Sequence, residues 1–155
     1  RDVFLFCCYT GLRFSDFIKL HSHHFSELNG KEWLKIKTEK TGSYVQIPIY
    51  LIFEGKALKI LHQYSSIEAF TQIGNNAYVN RKLSEIQQKL NIKTKITFHV
   101  VRHTCATLLC HQGVPITTVQ KILGHSNLTT TQVYSEIMAD TIVRDLSKIK
   151  EKGQC

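Results

Sequence analysis

Methionine and proline are nearly missing from this chain, paired cysteine motifs are absent, and no apolar run is long. Each shortage excludes something. The longest apolar stretch, Val3 to Tyr9, falls far short of the roughly 20 residues that a membrane-spanning helix needs. No basic segment leads into an apolar one in the manner of a secretory signal. The cysteines are Cys7, Cys8, Cys105, Cys110 and Cys155; they form no Cys-x-x-Cys, and their odd number argues against a disulfide framework. They read as reduced, core-filling thiols of a cytoplasmic protein. Met138 is the sole methionine, so the sequence reads as a piece of a longer protein that starts just upstream of an apolar helix. Acidic residues are also scarce, at 12 against 20 lysines and arginines, giving a formal charge of +8 and a pI near 9.3. That balance favours a polyanionic partner, most simply nucleic acid.

What is present fits one domain of 155 residues with an ordinary core-forming composition of 43% hydrophobic residues. Val3 to Leu20 has helical spacing interrupted by Gly11, which gives two helical pieces. His21, Ser22, His23 and His24 read as a loop. Between Phe25 and Tyr50 the pattern changes to alternation: Trp33, Leu34 and Ile36, then Tyr44, Val45 and Ile47, flank a Lys40-Thr41-Gly42-Ser43 turn. Pro48 ends the second strand. Amphipathic helices follow over Phe53–Tyr64 and Asn76–Leu90, the latter with Leu83, Ile86 and Leu90 on one side. Thr97 is the expected N-cap of a helix running to about Gln112 and closed by Gly113. Pro115 opens a short helix ended by Gly124. A further short helix beginning at Asn127 or Thr129 carries Tyr134, and Ala139–Lys150 forms a terminal helix. The expected class is α+β, mainly α-helical, with a small antiparallel sheet.

The residues able to do chemistry are spread along the chain. Arg13 lies in Gly-Leu-Arg-Phe-Ser-Asp, with Asp16 three residues on. Lys40 sits at the hairpin turn. His99 and Arg102 share a helix face. His125 follows Leu123-Gly124, and Tyr134 follows a Thr-Thr-Thr-Gln-Val run. Arginine suits phosphate because its planar fork donates two parallel hydrogen bonds. Arg102 is set among Val100, Val101, Cys105 and Ala106, which suggests partial shielding from water. A tyrosine with a reference pKa of about 10 becomes a nucleophile only when its proton is removed or its oxyanion is stabilised. The plainer account of Arg13 is a surface pair with Asp16, and that of Lys40 a solubilising turn residue. His99 and His103 have a spacing open to a metal, but no glutamate accompanies them and Arg102 adds a cation beside them. His103 and the His21–His23–His24 cluster read as structural or solvated.

A second pattern competes. Ile116 to Gly124 followed by Ser126 to Tyr134 scans as a helix-turn-helix, in which Thr129, Thr130, Thr131 and Gln132 read bases. It accounts for the basic charge but leaves Arg13, Lys40 and the His99–Arg102 pair unused.

Taken in order, Gly-Leu-Arg-Phe-Ser-Asp, Glu-Lys-Thr-Gly, His-Val-Val-Arg-His, Leu-Gly-His and Tyr134 nine residues after His125 resemble the catalytic domain of the tyrosine recombinase (phage integrase) family. Within it the chain is similar to integrases of mobile elements from Bacteroides-like bacteria. The resemblance covers Gly11 to Tyr134. It implies the fold of that catalytic domain over 1–155, with the amino-terminal DNA-clamping domain absent. It also implies metal-independent strand cleavage through a 3′-phosphotyrosyl intermediate, serving site-specific recombination. Tyr134 would be the nucleophile, with Arg13, Arg102 and His125 on the phosphate. Lys40 would protonate the leaving 5′-oxygen, His99 would assist the tyrosine, and Asp16 would support the site. Arg13, Lys40, Arg102 and Lys121 would contact DNA. The resemblance further implies no cofactor, a homotetramer on two DNA segments in which the Ala139–Lys150 helix or the tail after it docks on a neighbour, a monomeric isolated piece that binds DNA weakly, and a bacterial, nucleoid-associated location. Val101 stands where the family carries a smaller residue. A type IB topoisomerase-like activity uses the same chemistry.

Overall fold

Burial of the first apolar stretch sets the layout. The computed structural model describes residues 1–127 and 129–132. Helix α1, Asp2–Thr10, buries Phe6, Cys7, Cys8 and Thr10 and ends at Gly11, whose φ of 70° turns the chain out of the helix. Glycine is required there because a Cβ would lie 2.5 Å from Leu123 Cδ2 and 3.2 Å from Cys105 Sγ. A short helix α2, Phe14–Phe17, follows, as the interruption at Gly11 leads one to expect.

The histidine stretch expected as a loop is a single 3₁₀ turn, Ser22–His24, with the His24 Nδ1 accepting from the His21 N–H at 3.0 Å. The sheet has three antiparallel strands in the order β1-β2-β3: Phe25–Leu28, Lys31–Lys37 and Tyr44–Ile47. Register pairs Phe25 with Leu34, Leu34 with Ile47, and Ile36 with Val45. Leu34, Ile36, Val45 and Ile47 are buried on one face, as period-2 alternation requires. The expected hairpin is therefore present, and β1 extends it by an edge strand.

Beyond the sheet the chain is helical: α3 Lys56–Leu61, α4 Ile67–Thr71, α5 Asn76–Lys89, α6 Val100–His111, α7 Ile116–Leu123 and α8 Thr129–Gln132. The core joins α1, α6 and α7 to the sheet, with Phe6, Phe17 and Phe70 in an edge-to-face cluster at centroid separations of 5.2 to 6.0 Å. Cys7, Cys8, Cys105 and Cys110 are buried and form no disulfide among the described residues; Cys155 lies outside them.

Two expected helices are revised. Phe53–Tyr64 is not one helix: Ile52–Gly55 forms a 3₁₀ turn with Phe53 and Glu54 at positive φ, and only Lys56–Leu61 is α-helical. Phe53 leaves the helical path to bury its ring, 5.6 Å from that of Tyr9. Thr97 is not the cap of α6; His99 is. The cause is Phe98, which packs edge-on to Phe4 and Phe14 and donates its N–H to Asn80 Oδ1 at 2.7 Å, so the helix begins only after it. Helix α4 was not anticipated; its Ser66 cap accepts from the Ala69 N–H at 3.1 Å. Along α5, Leu83 packs on the core, whereas Ile86 and Leu90 are exposed. The Ala139–Lys150 helix lies outside the described residues.

Candidate active site

Three distant sequence blocks meet at one side chain. Helix α6 packs on α1 and buries Val101, Cys105, Ala106 and Leu109, and that packing draws Arg102 inward to 4% exposure. A buried guanidinium requires partners. Arg102 Nη1 donates to the Gly11 carbonyl at 2.8 Å, Nη2 donates to the Leu123 carbonyl, and Nε donates to His125 Nε2 at 3.3 Å. Gly11 belongs to the first block; Leu123 and His125 belong to the third. The arginine is thus held as a rigid donor array by the segments it joins. Val101, the expected departure, is fully buried in the core beside it.

His125 is fixed at both ring nitrogens. Because Nε2 accepts from Arg102, the ring proton sits on Nδ1 and is donated to Thr131 Oγ1 at 2.8 Å. Desolvation, with the Arg102 charge beside it, pushes the His125 pKa down to about 4. The ring is therefore neutral at physiological pH. Thr131 is fully buried, so one of the four residues assigned to base reading in the helix-turn-helix reading faces the protein interior instead.

Arg13 caps α2 and lies 17% exposed, with its Nη1 3.9 Å from Asp16 Oδ2. Neither atom makes a hydrogen bond, although both are buried. Asp16, 1% exposed, spends its other oxygen on the Glu39 N–H at 2.9 Å. The surface-pair account of Arg13 fails on this burial: the carboxylate is internal and ties α2 to the base of the hairpin turn.

Arg13, Lys40, His99 and Arg102 line one open cleft of about 470 Å³, which Asn76 and Asn80 also line. His99 is exposed at the head of α6. Partial burial, followed by the neighbouring His103, Arg102, Arg13 and Lys40, lowers its pKa. His103 stands edge-on to it at 4.8 Å and is not part of the cleft lining. Lys121 is exposed on α7, away from the cleft. His21, His23 and His24 stack beside a separate depression. Among the described residues, no three histidine, cysteine or acidic side chains are grouped to hold a metal ion. Tyr134 lies outside the described residues, two positions after α8 ends. The sequence assigns Thr38, Thr41 and Thr131 no role at this site: Thr41 enters only as a turn residue, Thr131 only among the candidate base readers, and Thr38 not at all.

A sequence profile of the phage integrase family matches residues 1–140. The chain belongs to the phage integrase family. A tyrosine recombinase of Thermosipho africanus is 31% identical over 137 residues, covering 83% of this chain and 46% of that protein. The chain spans about half the length of the curated relatives it matches. Among solved structures, a lambda integrase dimer bound to a COC′ core site superposes with a TM-score of 0.70 at 20% identity, covering 86% of this chain and 50% of that one. The Tn1549 transposon integrase in complex with a circular intermediate DNA gives 0.66 at 18% identity, over 95% and 57%. At these identities the structural likeness establishes the fold: this integrase-family chain has the mainly helical catalytic-domain architecture with its small antiparallel sheet.

Proposed function

We propose that residues 1–155 are the catalytic domain of a site-specific DNA recombinase that cleaves and rejoins strands through a 3′-phosphotyrosyl intermediate. The observation that carries this reading is the convergence of Arg13, Lys40, His99 and Arg102 on one cleft from three separate stretches of chain. A scissile phosphate seated there would meet cationic donors held in advance by the fold, so little reorganisation accompanies the growth of charge at transfer. Tyr134 attacks phosphorus and the bond to the 5′-oxygen breaks; His99, kept neutral by its lowered pKa, accepts the tyrosine proton. Lys40 supplies the proton to the leaving 5′-oxygen. Arg13 and Arg102 hold the non-bridging oxygens, and His125 acts beside Arg102. The phosphotyrosine retains the bond energy, so a 5′-hydroxyl of another duplex reseals the strand.

The partner in this reading is double-stranded DNA, with the full-length protein acting as a homotetramer on two segments. The Tn1549 transposon integrase among the solved neighbours favours a mobile-element origin. The buried Thr131 disfavours the base-reading alternative. The test is covalent trapping on nicked duplexes drawn from a fragment library of the parent element, using the full-length protein in EDTA. A denaturant-resistant protein–DNA adduct is expected from the wild type and none from Tyr134→Phe. DNA binding without an adduct from either protein would overturn the proposal.

A further inference from the structure

Lys40 has to deliver a proton at one place, yet it stands on a turn. Its side chain is exposed, and among the described residues its ammonium makes no hydrogen bond or ion pair. What orients it must therefore act on the backbone around it. Within the turn, the Thr38 N–H donates to the Ser43 carbonyl at 2.9 Å and the Gly42 N–H to the Thr38 carbonyl at 2.9 Å. Those bonds close the loop on itself but do not fix it relative to the cleft.

Two further bonds do, and they flank Lys40 in sequence. On one side the Glu39 N–H donates to the buried Asp16 carboxylate at 2.9 Å. On the other, Thr41 Oγ1 donates to the Gly124 carbonyl at 3.0 Å. With that proton on Gly124, the Thr38 hydroxyl faces two acceptors, Thr41 Oγ1 at 2.7 Å and the Ser43 carbonyl at 3.3 Å, and the shorter contact makes Thr38 the donor to Thr41. Thr38 is 3% exposed, so this relay of two hydroxyls rests on a buried anchor. Gly124 precedes His125, which is bonded to Arg102. The Thr41 bond therefore ties the proton donor's turn to the segment that holds the phosphate-binding arginine.

We propose that Thr41, backed by Thr38, is a positioning residue for Lys40: its hydroxyl docks the Lys40 turn onto the Gly124–His125 segment. The inference rests on Lys40 being the acid for the leaving 5′-oxygen, as in the function proposed above. Thr41 touches no reacting atom; it acts only by placing the ammonium. A displacement of about 1 Å at a catalytic group costs up to roughly 100-fold in rate.

The experiment is single-turnover cleavage by the full-length protein of the duplex selected by covalent trapping. That duplex is synthesised with either oxygen or sulfur at the bridging 5′ position. A thiolate leaves without a proton, so the sulfur substrate bypasses the acid. Thr41→Val, which keeps the side-chain shape and removes the hydroxyl, is expected to slow the oxygen substrate roughly 10- to 100-fold. Its rate on the sulfur substrate is expected to return to that of the wild type, as is that of Lys40→Ala. Thr41→Ser, which retains the hydroxyl, is expected to cleave the oxygen substrate close to the wild-type rate. Full activity of Thr41→Val on oxygen overturns the inference, and so does an equal defect on both substrates while Lys40→Ala is rescued by sulfur. A Lys40→Ala that sulfur fails to rescue overturns the assignment of Lys40 as the acid, and the inference falls with it.

Discussion

Replacing Gly124 by alanine tests whether the hairpin turn is packed against the third block as closely as described. Gly124 ends α7 at φ 62°, where a residue with a Cβ pays roughly 1–2 kcal/mol for the left-handed conformation. The added Cβ would also lie 2.6 Å from Val45 Cγ2 and 3.3 Å from Thr38 Cγ2. Both atoms belong to β-branched side chains that are almost wholly buried, so neither can swing aside. Overpacking of that kind costs a further 1–3 kcal/mol or about that. Gly30, in the β1–β2 turn at φ 71°, is the internal control, because a Cβ there meets nothing within 4 Å. Both variants gain the same few tenths to about 1 kcal/mol from a stiffer unfolded chain, which cancels in the comparison. Urea unfolding of the 155-residue chain should therefore place Gly124→Ala about 1–3 kcal/mol below Gly30→Ala. With a urea dependence of about 1–3 kcal/mol per molar, the midpoints would differ by roughly 1 M. Coincident midpoints would refute the close approach, and with it the docking of the Lys40 turn on this segment.

The buried arginine and the neutral histidine give the other expectations. Arg102→Lys leaves the Gly11 and Leu123 carbonyls and His125 competing for one ammonium that lacks the planar fork. A loss of about 2–4 kcal/mol is expected in thermal or urea unfolding, together with loss of the covalent adduct; unchanged stability would contradict the hub assigned to Arg102. For His125, the native pKa of about 4 lies below the ordinary value of 6.5. Folding therefore favours the neutral ring, and the unfolded chain takes up the proton first as pH falls. The contribution is complete above about pH 6.5 and is lost as pH drops toward 4. Unfolding free energies measured across that window should show a steeper slope for the wild type than for His125→Asn; equal slopes would place the ring in solvent.

Much of the architecture was legible because it depends on local chemistry. The alternation of Leu34, Ile36, Val45 and Ile47 specifies a sheet face, and the Lys40-Thr41-Gly42-Ser43 turn between them specifies a hairpin. Gly11 and Gly124 mark helix ends for the same reason in each case, a left-handed residue at the cap. Where local pattern and structure differ, a distant partner overrides the local signal. Phe53 abandons a helical pattern to reach Tyr9, and Phe98 displaces the start of α6 by packing between Phe4 and Phe14. Neither ring's destination is encoded within a window around it.

The same division runs through the site. The sequence by itself determined which residue types were available and the blocks in which they stand: Arg13 with Asp16, Lys40 at a turn, His99 three residues before Arg102, His125 after a helix-ending glycine. It determined these because spacing along a helix or turn is a short-range property of the chain. Only the tertiary structure decided that Asp16 is internal and holds the Glu39 N–H, that Arg102 binds carbonyls from the Arg13 and His125 blocks, and that Thr41 reaches Gly124, 83 residues away. Those bonds join groups that are neighbours solely because α1, α6, α7 and the sheet bury their apolar faces together. Packing, which is non-directional, brings the segments to the same place; the hydrogen bonds, which are directional, then fix how each charged side chain is aimed.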